Sequence, residues 1–128
     1  MVLLGIIITE IVRPKPINWK QSYIAKDKIP FGCYVLYNEL PRIFPKEPIR
    51  TINESPYETL AYRDYQEKSN YIFVNTKIAF DQEETVELLD YVSDGNTVFI
   101  AANDFGQTLT DTLHIETKTR YGLSLIHI

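Results

Sequence analysis

Cys33 is the only cysteine of the 128-residue chain and the first residue with chemistry to offer. A nucleophilic thiolate needs a lowered pKa and a base within reach. The stretch Phe31-Gly32-Cys33-Tyr34 puts it near a predicted helix N-terminus, which favours the thiolate. A lone Cys between aromatic neighbours is also the usual setting of a small buried hydrophobe. His114 and His127 lie thirteen positions apart with no carboxylate pattern around them, so they read as surface or packing histidines. Glu83 and Glu84 are adjacent, and adjacent helix residues point in different directions, so a capping role explains them better than paired carboxylate chemistry. Asn75, Asn103 and Asp104 are the candidate ligand-binding residues. They fall at the C-terminal ends of two predicted parallel strands, where open α/β sheets bind their ligands. Asn and Asp also commonly end strands and cap helices. The sequence has no G-x-G-x-x-G, P-loop, G-x-S-x-G or H-E-x-x-H motif, and its five glycines are scattered. It points to no catalytic residue, no metal ligand and no cofactor.

The elements that must position these residues are clearest between 71 and 102. Tyr71-Ile72-Phe73-Val74-Asn75 is an apolar run of good strand formers. Asp81-Gln82-Glu83-Glu84 has the form of a capping box, in which each end residue's side chain accepts from the other's backbone N–H. Thr85, Leu88, Leu89 and Val92 then share one helical face. Gly95 supplies a left-handed C-terminal cap. Residues 97–102 return as a second strand. Both strands are apolar without alternation, which predicts burial on both faces of a parallel sheet. Strand, helix, strand over about thirty residues is a βαβ unit with a right-handed crossover. Asp104 to Gln107 reads as a D-x-x-Q cap for a weak, Thr-rich helix carrying Leu109 and Leu113.

Earlier in the chain the signals are local. Residues 13–30 read as an extended connector, because Pro14 and Pro16 restrict their neighbours to β or polyproline conformations. Within it Trp19 and Tyr23 suit either a membrane interface or the edge of a core. A helix is predicted over 31–44, with Pro30 at its start, Leu36, Leu40 and Ile43 on one face and Pro41 distorting or ending it. Residues 49–53 form a candidate strand. Ser55-Pro56 gives an N-cap and first helical residue, with Glu58 in the first turn of a polar helix over 57–66.

Thirteen Lys and Arg against seventeen Asp and Glu give a net charge of −4, which argues against a nucleic-acid binder. The charge is uneven: residues 1–50 hold eight basic and four acidic groups, and residues 51–128 hold five and thirteen. The basic half follows an apolar run over 2–12, broken only by Gly5, Thr9 and Glu10. As a helix this run covers roughly 16–18 Å, against the ~30 Å of a bilayer core. It is either a buried first strand or the outer end of a transmembrane helix whose beginning is missing. It does not have the form of a complete signal peptide.

Arg13-Pro14-Lys15-Pro16-Ile17-Asn18-Trp19, then Lys28-Ile29-Pro30-Phe31-Gly32 and Tyr34-Val35-Leu36, resemble the start of the bacterial domain of unknown function 4350 family. The 71–102 unit, with Asn103 and Phe105 after it, is similar to that family's central βαβ segment. The resemblance covers roughly residues 10–115. It implies an α/β domain of three layers on a mostly parallel sheet, similar to class I glutamine amidotransferases and to flavodoxins. It also implies a transmembrane anchor just before Arg13, with the domain outside the cytoplasm. That favours the anchor for 2–12, although Arg13 and Lys15 by themselves favour the cytoplasmic side. Amidotransferases carry their nucleophilic Cys at a sharp turn after a strand. Here that turn is Asn103-Asp104-Phe105-Gly106, so no catalytic residue carries over.

Members of that family are longer, which marks this α/β domain, residues 31–116, as incomplete at its C-terminus. Residues 117–128 read as an uncertain tail, since Ser124-Leu125-Ile126-His127-Ile128 is similar to a translated sequencing adapter. A sheet short of strands leaves an apolar edge, and such a chain is expected to aggregate as a monomer. The functional expectation is a membrane-tethered, non-catalytic module that binds a protein partner or a small ligand near Asn75, Asn103 and Asp104. The alternative is a hydrolase or amidotransferase using Cys33.

Overall fold

Asp81 and Glu84 close the capping box that their spacing predicts. The Glu84 N–H donates to Asp81 Oδ1 at 2.8 Å, and the Asp81 N–H donates to Glu84 Oε2 at 3.1 Å. They start the helix over Gln82–Ser93 in a computed structural model that describes residues 11, 13–62 and 68–118. The structure falls into two units, one up to Ile49 and one from Arg50, and each stands by itself below. This division lies inside the 31–116 span assigned to a single α/β domain.

In the first unit, residues 13–33 contain no helix or strand. Residues 23–33 close on themselves as a loop. The Tyr23 N–H donates to the Phe31 carbonyl at 2.8 Å, and the Cys33 N–H donates to the Ile24 carbonyl at 3.0 Å. Gly32 makes the turn possible, because a Cβ there would fall on the Asp27 carbonyl. Helix α1 therefore spans Tyr34–Ile43 and starts three residues later than predicted. Phe31 and Gly32 are held in the turn, and Pro30 is not a first helical residue. Pro41 lies inside α1 near its end, consistent with its missing N–H. The stripe of Leu36, Leu40 and Ile43 is not buried: no residue of α1 is.

At the boundary between the units, residues 49–53 do not form the candidate strand, because no neighbouring strand among the described residues pairs with them. Helix α2, Pro56–Leu60, opens with a second capping box. The Glu58 N–H donates to Ser55 Oγ and the Ser55 N–H donates to Glu58 Oε2, each at 3.2 Å. It ends at Leu60, well short of the predicted residue 66, and residues 63–67 lie outside the described ones.

Strand β1 (Asn70–Ile78), helix α3 (Gln82–Ser93) and strand β2 (Thr97–Phe105) form the predicted βαβ unit, followed by α4 (Gln107–Leu113). The strands are parallel, in a register that sets Phe73 beside Ile100 and Asn75 beside Ala102. The protein is thus a small α/β fold with a two-stranded parallel sheet among its described residues. The turn after α3 explains the register. Gly95, at φ 89°, donates its N–H to Val92 and Asn96 donates its own to Tyr91, the pair of bonds that defines a Schellman cap. The Lys68 ammonium reaches the Asp94 carbonyl at the same helix end. The Asn96 side chain donates to the Tyr91 carbonyl and accepts from the Ser69 N–H, both at 2.9 Å. One amide therefore ties the end of α3 to the start of β1.

Leu60, Ile78, Phe80, Leu88, Tyr91 and Leu109 form the core, with Tyr71, Phe73, Val98 and Ile100 packed against it. The buried stripe of α3 is Thr85, Leu88 and Tyr91, so Tyr91 takes the place predicted for Val92. Tyr91 meets the Tyr71 ring edge-on at 6.5 Å while its hydroxyl pairs with Ser69 Oγ at 2.7 Å. It fills the core and satisfies its polar end, which Val92 could not do. Burial on both sheet faces does not hold either. Strand alternation turns Phe99 away from the Val98 and Ile100 side, and it is 57% exposed.

Burial pushes the Tyr71 phenol above its ordinary value of 10.0, and the Glu54 and Glu84 carboxylates add to the push against an opposing hydrogen bond with Thr59. A raised folded pKa contributes stability that is complete below the unfolded value and is lost as pH rises through the folded one. Alkaline melts above pH 10.0 should therefore lose stability more steeply for the parent than for Tyr71→Phe. Superimposable curves would remove Tyr71 as a contributor.

Candidate functional site

The strands run further than their apolar runs suggest, and this changes where the candidate residues lie. Asn75, Asn103 and Asp104 sit inside β1 and β2, before their C-terminal ends at Ile78 and Phe105. All three are exposed. Asp104 stands opposite Lys77 in the register, and its carboxylate lies 3.1 Å from the Lys77 ammonium. Asn75 lies two residues before Lys77 on β1, and Asn103 directly precedes Asp104 on β2. The Asn75 side-chain oxygen accepts from the Thr76 N–H at 2.8 Å. The structure therefore pairs Asp104 with Lys77 and sets Asn75 two residues before that pair on the neighbouring strand.

Asp104 does not cap α4, contrary to the D-x-x-Q reading. Because β2 continues to Phe105, the chain enters the helix at Gly106, which offers no side-chain cap. Gly106 fits because its N–H donates to the Ile78 carbonyl at 2.7 Å, while a Cβ would lie 2.7 Å from the Ala79 Cα. Thr110 and Thr112 bond back to carbonyls within α4, and His114 ends it in the left-handed region.

A groove that the sequence reading missed runs between β2 and α4. Its volume is about 220 Å³, and its lining includes Val98, Ile100, Phe105, Leu109, Leu113 and Ile115. The i, i+4 pair of Leu109 and Leu113 was a usable signal. The groove offers an apolar ligand a surface whose polar side chain is Thr110, its hydroxyl already donating to the Gly106 and Gln107 carbonyls, and it is smaller than the ~300–1,000 Å³ common for ligand pockets.

Cys33 belongs to the first unit, not to the βαβ unit. It occupies the N-cap position of α1 without a side-chain capping bond. Burial pushes its thiol up from the ordinary value, so the expected activation by the helix end does not prevail. Near neutral pH the folded protein should react with a thiol reagent more slowly than free cysteine does, and denaturant should restore the free rate. Equal rates before and after unfolding would show that burial does not control the thiol. Glu84 is occupied in its capping box. His114 is exposed at the end of α4, and His127 lies outside the described residues. Among the described residues no group of three or more His, Cys, Asp or Glu side chains could hold a metal ion.

The chain matches no family model, no curated protein and no solved structure. Among the described residues no helix is long and apolar enough to cross a membrane. The apolar run over 2–12 lies outside them except for Ile11, which is exposed.

Proposed function

We propose that the chain is a membrane-tethered, non-catalytic α/β module related to the domain of unknown function 4350 family, facing outside the cytoplasm, that binds a protein partner or small ligand at one side of its parallel sheet. The observation that carries the non-catalytic part is the state of Cys33, the one candidate nucleophile. Its thiol is pushed up by burial, and it belongs to a different unit from the strand ends. The binding side is the Asn75, Lys77 and Asp104 surface, where an exposed ion pair and an amide stand together on paired strands.

The three-layer, amidotransferase-like architecture is part of the same proposal. Its support is the apolar outer face of the sheet, where alternation places Ile72, Val74, Phe99 and Ala101 opposite the core. A second helical layer is the ordinary cover for such a face. The tether rests on the apolar run over 2–12 with Arg13, Lys15 and two prolines directly after it.

Two measurements test the reading. The parent chain should show no hydrolytic activity that Cys33→Ser abolishes; finding one overturns the binding-module assignment. The chain should also require detergent or lipid to remain dispersed. A chain that stays soluble without either, with slow amide exchange over residues 2–8 as in a sheet, overturns the tether.

A further inference from the structure

We infer that residues 13–31 form an interfacial contact with the headgroups of an anionic phospholipid bilayer. This inference rests on the tether reading, because the segment starts where the apolar run over 2–12 ends. The segment carries Arg13, Lys15, Lys20, Lys26 and Lys28 against Asp27 as its one acid. All four lysines are exposed, whereas Asp27 is half-buried. Large apolar side chains are interleaved with them. Trp19 and Ile17 are each 63% exposed, and Ile24 and Phe31 are exposed as well.

The second half of this segment is held by backbone bonds and ring contacts. The loop closed by the Tyr23–Phe31 and Cys33–Ile24 backbone bonds carries Lys26 and Lys28 at its tip. At its base the Trp19 and Tyr23 rings stand against Phe31, with centroids 6.2 and 6.4 Å away. Rings with one apolar body and one polar edge settle at headgroup depth. Each nearby Lys or Arg adds attraction to an anionic surface, within a Debye length. A protein partner would also accept exposed rings. The five-to-one excess of cations and the neighbouring apolar run favour lipid.

Trp19 is the chain's single tryptophan, so its fluorescence reads this contact directly. The full chain is mixed with phosphatidylcholine vesicles, with and without phosphatidylglycerol, and vesicle flotation and Trp19 emission are followed together. With phosphatidylglycerol present, the emission should shift to the blue, acrylamide quenching should fall, and both changes should weaken as salt rises. Replacing both Lys26 and Lys28 by Gln should lower the phosphatidylglycerol-dependent partition by about thirtyfold. Since Lys28 also lies over the Tyr34 ring at 4.4 Å, the Lys15→Gln, Lys20→Gln pair is a second variant expected to lower it similarly. Flotation with both vesicle types, but with Trp19 as water-exposed as in buffer and both variants matching the parent, overturns the contact and leaves the tether standing. A phosphatidylglycerol-dependent Trp19 shift without flotation on neutral vesicles supports the contact and overturns the tether. Absence of both signals overturns both.

Discussion

Leu88→Ala should lower the unfolding free energy of the second unit by about 2–5 kcal/mol, the range for emptying a buried leucine site. Leu88 is only 4% exposed and belongs to the cluster that joins α3 to Leu60, Phe80 and Leu109. Removing its branched end leaves a space in a close-packed cluster whose neighbours have little freedom to refill it. Val86 is the control. It lies on the same helix and is 50% exposed, so Val86→Ala should change stability by less than about 0.5 kcal/mol. Urea titrations of the two variants and the parent provide the comparison. Equal midpoints for Leu88→Ala and Val86→Ala would remove α3 from the core and undo the packing described above.

Gly106→Ala should cost about 1–3 kcal/mol, by overpacking and not by backbone strain. Its φ is −60°, which any residue adopts, so the requirement for glycine is purely one of space. A Cβ would stand 2.7 Å from the Ala79 Cα and 2.9 Å from its Cβ, and a backbone atom cannot rotate out of the way as a side-chain tip can. The adjustment would pull on the Gly106 N–H bond to the Ile78 carbonyl, which closes the ends of the two strands. Gly106→Ala combined with Ala79→Gly should recover part of the loss, since it removes one of the two clashing atoms. A single variant as stable as the parent would show that this approach is not tight.

What the sequence disclosed was local. The two helix starts at Ser55 and Asp81 and the glycine stop at Gly95 each depend on neighbours within a few positions, and each stands where its pattern put it. The parallel order of the strands was also legible, because a twelve-residue helix between two apolar runs leaves a crossover as the natural connection. Strand lengths were not legible. Thr76, Lys77, Asn103 and Asp104 look like loop residues, but the ladder runs on past them to Ile78 and Phe105, which pack into the core. The candidate site suffered for the same reason. Asn75, Asn103 and Asp104 were visible as residue types, but their sides depend on a register, and a shift of one position reverses every side chain. The groove needed knowledge of how α4 lies along β2, which no local spacing carries. Tyr91 replaced Val92 through a hydroxyl partner, Ser69, that lies 22 positions away.

The parallel ladder has a kinetic consequence. Asn70 finds Thr97 only after the whole intervening helix has been threaded across, so no hairpin can seed this sheet. Loop closure over that distance comes before any reward from pairing. The segment between the strands is stopped at both ends by its own bonds, at Asp81 and at Gly95, and so can take shape before either strand does. The speed at which the second unit refolds should therefore follow the integrity of those two stops more closely than the apolar content of the strands they separate.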